Sequence, residues 1–157
     1  MLAHSAAGTR NTRRDESGKA VFEGDLVVAG GGFASVRCVP GRMLDLAGAR
    51  ALRLRCAGDG RHGYKLTLKT DRNVDGISYQ VGFDAGDGSG TVKTVSLPLS
   101  AFRANFRGRP VPNAAPLRGE DVVQIGVMLS RYEAGSIDEA VAPGRFRLQL
   151  VDLTVEM

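Results

Sequence analysis

Asp71-Arg72-Asn73-Val74-Asp75-Gly76 reproduces the opening of a calcium loop, D-x-N-x-D-G, in which oxygens at alternate positions converge on a cation and the glycine makes the sharp turn. The twelfth place, where a bidentate Glu should close the coordination sphere, is Gly82, and the flanks alternate like strands. The segment is therefore read as a polar turn, and the acidic run 84–90 as a hairpin connection. Gly30-Gly31-Gly32 suggests a phosphate loop, but a strand-like segment, FASVRC, follows where such a loop needs a helix N-terminus, so it is read as a glycine-rich turn. The only histidines, His4 and His62, are too few to build a metal cluster, and no G-x-S-x-G or P-loop occurs. No cofactor, metal or catalytic residue is expected. Cys38 and Cys56 lack C-x-x-C spacing and are read as small buried hydrophobes, with a Cys38–Cys56 bridge as the alternative.

Arginine is the residue with a consistent pattern. Arg53 and Arg55 alternate with Leu52, Leu54 and Cys56, while Arg145 and Arg147 alternate with Phe146, Leu148 and Leu150. Arg107 and Arg109 stand in a proline-rich segment. If the apolar partners face a core, these six guanidinium groups face outward, where they can bind carboxylates or phosphates in bidentate fashion. They are the candidate partner-binding residues, set against the simpler reading of a solvated face.

Strands must position these arginines. From Val21 onward apolar residues recur with period two, interrupted by Gly, Pro, Asp and Asn, which marks antiparallel strands. About eight are expected, at 21–28, 33–39, 50–57, 63–70, 76–84, 91–97, 122–129 and 145–155. Only 99–106, after Pro98, offers a short helical pattern. Eight strands without crossover helices predict an all-β jelly-roll sandwich of two packed sheets. The segment 107–121 is expected as the longest loop, exposed and stiffened by proline.

The 157 residues suit a single domain with its own core, placed at 18–157, preceded by an irregular or disordered segment at 1–17. Residues 1–20 have a faint transit-peptide composition. The balance of 21 basic to 17 acidic residues is a mild excess spread along the chain, which permits contact with anionic partners without marking a polybasic tract. No stretch approaches the roughly 20 apolar residues of a membrane-spanning helix.

Several stretches, in order, resemble the complex I intermediate-associated protein 30 family, whose domain is a galactose-binding-like jelly roll. They are Gly31-Gly32-Phe33-Ala34-Ser35-Val36-Arg37, Asp45-Leu46 with Ala51-Leu52-Arg53-Leu54-Arg55, and Gly58-Asp59-Gly60-Arg61 with Tyr64-Lys65-Leu66. Ser96-Leu97-Pro98-Leu99-Ser100-Ala101-Phe102 and Gly144-Arg145-Phe146-Arg147-Leu148 complete the set. Within the family, the loop 106–116, then Gln124–Leu129, Ser130-Arg131-Tyr132-Glu133 and the insertion 135–144, is similar to the photosynthetic branch, whose members are associated with photosystem II biogenesis. Ser5-Ala6-Ala7-Gly8-Thr9-Arg10 stands where the family has a D-V-M-G-G-x-S motif, so the first strand is expected to be missing or remodelled. The dehydrogenase-like half carried by that branch is absent here, so no NAD chemistry is expected.

The resemblance implies a non-catalytic module that docks on protein subunits of an organellar energy-converting membrane complex, as assembly factor or accessory subunit. A photosystem at the thylakoid is the first expectation, and respiratory complex I in the mitochondrial matrix the next. Carbohydrate binding and RNA binding are the rivals. Both favour exposed aromatic platforms, and this chain has no Trp and only Tyr64, Tyr79 and Tyr132 as tyrosines.

Overall fold

The computed structural model describes residues 2–5, 8–14, 20–26, 33–38, 46–71, 76–106, 109–130 and 144–157. These form twelve strands and two short 3₁₀ turns, Leu99–Ala101 and Gly119–Asp121. The strands are β1 (Leu2–Ser5), β2 (Gly8–Arg14), β3 (Ala20–Leu26), β4 (Phe33–Cys38), β5 (Ala51–Ala57) and β6 (Tyr64–Lys69). They continue with β7 (Ser78–Gly82), β8 (Lys93–Pro98), β9 (Arg103–Phe106), β10 (Arg109–Pro110), β11 (Gln124–Ser130) and β12 (Gly144–Glu156). Every ladder is antiparallel. One sheet has the order β1-β4-β11-β6-β7-β9-β10 and the other β2-β3-β12-β5-β8.

The eight strands expected from alternation all occur at their places. The other four explain where alternation is a poor guide. Leu2–Ser5 and Gly8–Arg14 lie inside the segment expected to be irregular, and they pair with β4 and β3. The sequence GTRNTRR has no apolar member, so alternation gives no signal there, and the strand shows itself only through its pairing with β3. Pro98 ends β8 and starts a single 3₁₀ turn, after which β9 resumes at Arg103, so the helical pattern after Pro98 yields three residues only. In the loop at 107–121, β10 pairs with β9. The Tyr79 hydroxyl donates to the Ala115 carbonyl at 2.5 Å. Gly119 lies against the chain so closely that a Cβ would stand 1.9 Å from the Leu46 carbonyl oxygen.

The core lies between the sheets. Leu52, Leu54, Cys56, Phe146 and Leu148 face it from the five-stranded sheet, and Tyr64, Leu66, Leu68, Ile125, Val127 and Leu129 from the other. Phe22 and Phe146 meet edge to face, centroids 4.9 Å apart, a geometry worth about 0.5–1.5 kcal/mol beyond the area it buries.

β12 is the spine of its sheet. Its first half pairs with β3 and its second with β5, and the register shifts between Leu150 and Asp152. Before the shift the even residues Phe146 and Leu148 are buried; after it the odd residues Leu153 and Val155 pack on the core. The extra residue, Val151, is a β-bulge that keeps one face apolar along thirteen residues.

Cys38 is registered with Ile125 in the seven-stranded sheet, whereas Cys56 lies in the five-stranded sheet as a free, buried thiol. The bridge considered from sequence is therefore not made. Burial pushes the Cys56 thiol up to about 11, with Lys93 opposing and Asp84 adding to the shift.

Candidate docking surface

The outer face of the five-stranded sheet assembles four of the six candidate arginines, and each meets an acid. Arg53 Nε donates to Glu156 Oε1 at 2.9 Å, and Arg55 Nη1 to Asp152 Oδ2 at 2.7 Å. Arg145 lies 3.6 Å from Glu23 and 3.7 Å from Asp25, and Arg147 lies 3.5 Å from Glu23. Ser96 Oγ adds a bond to Glu156 Oε2 at 3.2 Å. The bulge at Val151 is responsible for two of these pairs: in unbroken alternation with Phe146 and Leu148, Asp152 and Glu156 would point into the core.

Among the described side chains of this face, these four arginines are matched by acids. An open groove of about 520 Å³ at its end is lined by Arg50, Ser96, Pro98, Glu156 and Met157 among others. Arg109, on β10, is exposed at the far edge of the other sheet and makes no ion pair among the described residues. Arg107 lies outside the described residues, as do Gly30–Gly32, residues 72–75 of the calcium-like turn, and Tyr132.

The outer face of the seven-stranded sheet departs from alternation. All six residues of β6 are buried, so Lys65, Thr67 and Lys69, on the side opposite to Leu66 and Leu68, are removed from water as well. Around them stand the half-buried Ser78, Gln80, Gln124 and Met128 and the exposed Arg103. Gln80 Nε2 donates to Ser78 Oγ at 2.8 Å, and Arg103 Nη1 to the carbonyls of Ser100 and Phe102. Sequence reasoning missed this face because K-L-T-L-K reads as an ordinary strand with a solvated polar side.

One further residue positions rather than binds. Asp59, in the turn after β5, accepts from the Tyr64 hydroxyl at 3.1 Å and from the amides of Arg61 and Arg147 at 3.2 and 2.7 Å. β5 ends at Ala57, opposite Gln149, and the Asp59 carboxylate replaces the missing strand as acceptor for the next β12 amide along that edge. Burial, with Asp59 adding to it, pushes the Tyr64 phenol well above its usual range. Between the turns, Lys93 holds the Asp84 carboxyl below its usual value, and Ser89 does the same for Asp87.

Among the described residues no group of three metal-ligating side chains occurs, and no helix is long and apolar enough to cross a membrane.

The family model described as complex I intermediate-associated protein 30 matches residues 4–150. No curated protein matches the sequence. Among solved structures, the chain is similar to the family 11 carbohydrate-binding module of the cellulosomal cellulase Lic26A-Cel5E of Clostridium thermocellum. The TM-score is 0.60 at 11% identity, over 96% of this chain and 85% of that one. The Clostridium thermocellum module in complex with a β-1,3-1,4-mixed-linked tetrasaccharide gives 0.59 at 11% identity, over 99% and 89%. At that identity the likeness shows a shared jelly-roll fold and no more.

Proposed function

The chain belongs to the complex I intermediate-associated protein 30 family, and from that membership we propose that it is a non-catalytic docking module, an assembly factor or accessory subunit of an energy-converting membrane complex. The observation that carries this reading is the family match over 4–150. The family's own description makes complex I the first complex to test. The resemblance of residues 106–144 to the photosynthetic branch makes a photosystem at the thylakoid the second. A rigid sandwich with charged faces recognises a partner by shape and charge, without a positioned nucleophile.

The contact is better made where positive charge is unmatched. A partner seated on Arg53, Arg55, Arg145 and Arg147 would have to replace ion pairs already formed with Glu23, Asp25, Asp152 and Glu156. Among the described residues Arg109 carries no such pair. Affinity purification of the tagged chain from solubilised organelle membranes, followed by mass spectrometry, tests the reading. Enrichment of complex I or photosystem subunits over an untagged control is expected. A wild-type chain that captures neither, or one whose capture is abolished by ribonuclease or by soluble glucan, refutes it.

A further inference from the structure

β8 closes one side of the five-stranded sheet and, among the described strands, pairs with β5 alone. Which of its backbone groups face outward follows from one bond. The Leu99 amide donates to the Arg50 carbonyl at 2.9 Å, continuing the register that sets Pro98 against Ala51, so Arg50 and Leu99 form a hydrogen-bonded pair. Such pairs alternate along an antiparallel ladder, and the two backbone groups of a residue point to the same side. Leu97, Val95 and Lys93 therefore bond to Leu52, Leu54 and Cys56, while the N–H and C=O of Thr94 and Ser96 and the C=O of Pro98 point away from the sheet. Thr94, Ser96 and Pro98 are exposed, and no described residue bonds to these groups.

An unpaired edge is a template for another strand, and natural sheets guard their edges with lysine and proline. Here Lys93 and Pro98 stand at the two ends of the strand, and Lys93 is held by Asp84 at 2.7 Å. The stretch between them, 94–97, has no charge. At the Pro98 end the edge runs into the open groove of about 520 Å³, whose lining includes Ser96, Pro98, Ser100 and Arg50. Glu156 in that groove is taken up by Arg53 and Ser96, whereas the Arg50 guanidinium makes no ion pair or hydrogen bond among the described residues. Open backbone donors and acceptors thus end beside an unanswered cation. Two β8 strands paired antiparallel through Thr94 and Ser96 would set a residue of 90–94, GTVKT, against Pro98 and bring no carboxylate to Arg50. Charge complementarity selects an acidic partner over a second copy.

Resting on the docking reading above, we infer that an extended segment of the partner protein adds antiparallel to β8 as a further strand of this sheet, and sets an acidic side chain beside Pro98, where it meets Arg50. The backbone of the segment supplies partners for Thr94, Ser96 and Pro98, and the guanidinium–carboxylate contact fixes its register. Arg53 and Arg55 keep their own acids in this arrangement.

Hydrogen exchange of the full chain, with fluorescence anisotropy of a labelled peptide, tests this. The peptide opens with two glutamates and continues as alternating threonine and valine. One control has glutamine for glutamate, and another has N-methyl groups on the alternate residues whose N–H would face β8. In the free chain the Thr94 and Ser96 amides are expected to exchange fast and those of Val95 and Leu97 slowly, and the glutamate peptide to slow the first pair. Thr94→Pro removes an outward N–H and no bond to β5, a change that edge strands tolerate. It and Arg50→Glu should each weaken binding at least tenfold, while Arg118→Glu leaves it unchanged. Thermal melts report folding, and Arg50→Glu carries the test if the proline variant does not fold. No binding of the glutamate peptide, equal binding of either control, or equal binding by the Arg50 variant overturns the inference. So does slow exchange at Thr94 and Ser96 in a free chain that sediments as a dimer, which would assign the edge to a second copy. If the folded variants still capture complex subunits at the wild-type level, the inference falls and the docking reading stands. If the wild-type chain binds the peptide but captures no complex subunits, the edge site is supported and the docking reading falls.

Discussion

Asp59 sits at the surface, yet its carboxylate joins three parts of the chain: its own turn through the Arg61 amide, the core through Tyr64, and β12 through the Arg147 amide. Removing it leaves a buried phenol and a strand amide without acceptors, each costing about 1–3 kcal/mol when unsatisfied. Asp59→Ala is therefore expected to lose roughly 2–4 kcal/mol in urea unfolding, and Asp59→Asn, which keeps one carbonyl oxygen, about half of that. A loss within 0.5 kcal/mol of zero for the alanine variant would mean that water substitutes for the carboxylate. Cys56 offers a second check at this scale. With its thiol pushed up to about 11, it should resist alkylation at pH 8 in the folded protein and react at the ordinary rate in urea, measured in a Cys38→Ser background. The folded state holds its proton to higher pH than the unfolded state does. Its contribution to stability is therefore complete below about pH 9 and declines as pH rises toward 11. Rapid labelling of the native protein at pH 8 would contradict the burial.

The bulge at Val151 is the strand-level feature that sets which way the second half of β12 faces. It lets β12 pair first with β3 and then with β5 while keeping Phe146, Leu148, Leu153 and Val155 on the core side. Deleting Val151 would make Leu150 and Asp152 neighbours in simple alternation, with Leu153 and Val155 still facing the core and Asp152 and Glu156 still outward, so the variant loses the local bend and twist of the bulge and keeps its apolar face. The deletion variant is expected to keep a cooperative thermal transition, at a cost of about 0.5–3 kcal/mol. Replacement by another β-former, Val151→Ile or Val151→Thr, should cost no more than about 1.5 kcal/mol, because the bulge depends on residue count more than on residue type. Loss of the cooperative transition on deletion would show that the bend at Val151 is itself required by the sheet.

For the whole molecule, the outer face of the five-stranded sheet pairs charges across neighbouring strands. On the five-stranded sheet the arginines are matched by acids, but most of these side chains are largely exposed, Arg53 at 54% and Arg55 at 46%. Exposed ion pairs contribute about 0–1 kcal/mol each, so Arg53→Gln with Arg55→Gln should cost less than about 2 kcal/mol at 0.1 M salt, a difference that shrinks at 1 M. A larger, salt-independent loss would show that these side chains act through packing of their stems.

Alternation was enough to find the core and the outward direction of the arginines. Leu52, Leu54, Phe146 and Leu148 are buried and Arg53, Arg55, Arg145 and Arg147 exposed because side-chain direction along a strand is a local property with period two. The family words were equally legible, including Gly58-Asp59-Gly60-Arg61, although their spelling does not reveal that Asp59 caps β12. The bulge left a trace in the adjacent apolar pair Leu150-Val151, where alternation breaks. What the side chains meet could be decided only by the tertiary structure. Arg53 and Glu156 are 103 residues apart in sequence, and Arg55 and Asp152 are 97 apart. Strand order and register bring them together, and no local pattern encodes either. The same holds for β6: its sequence announces one buried face, and all six of its residues are buried.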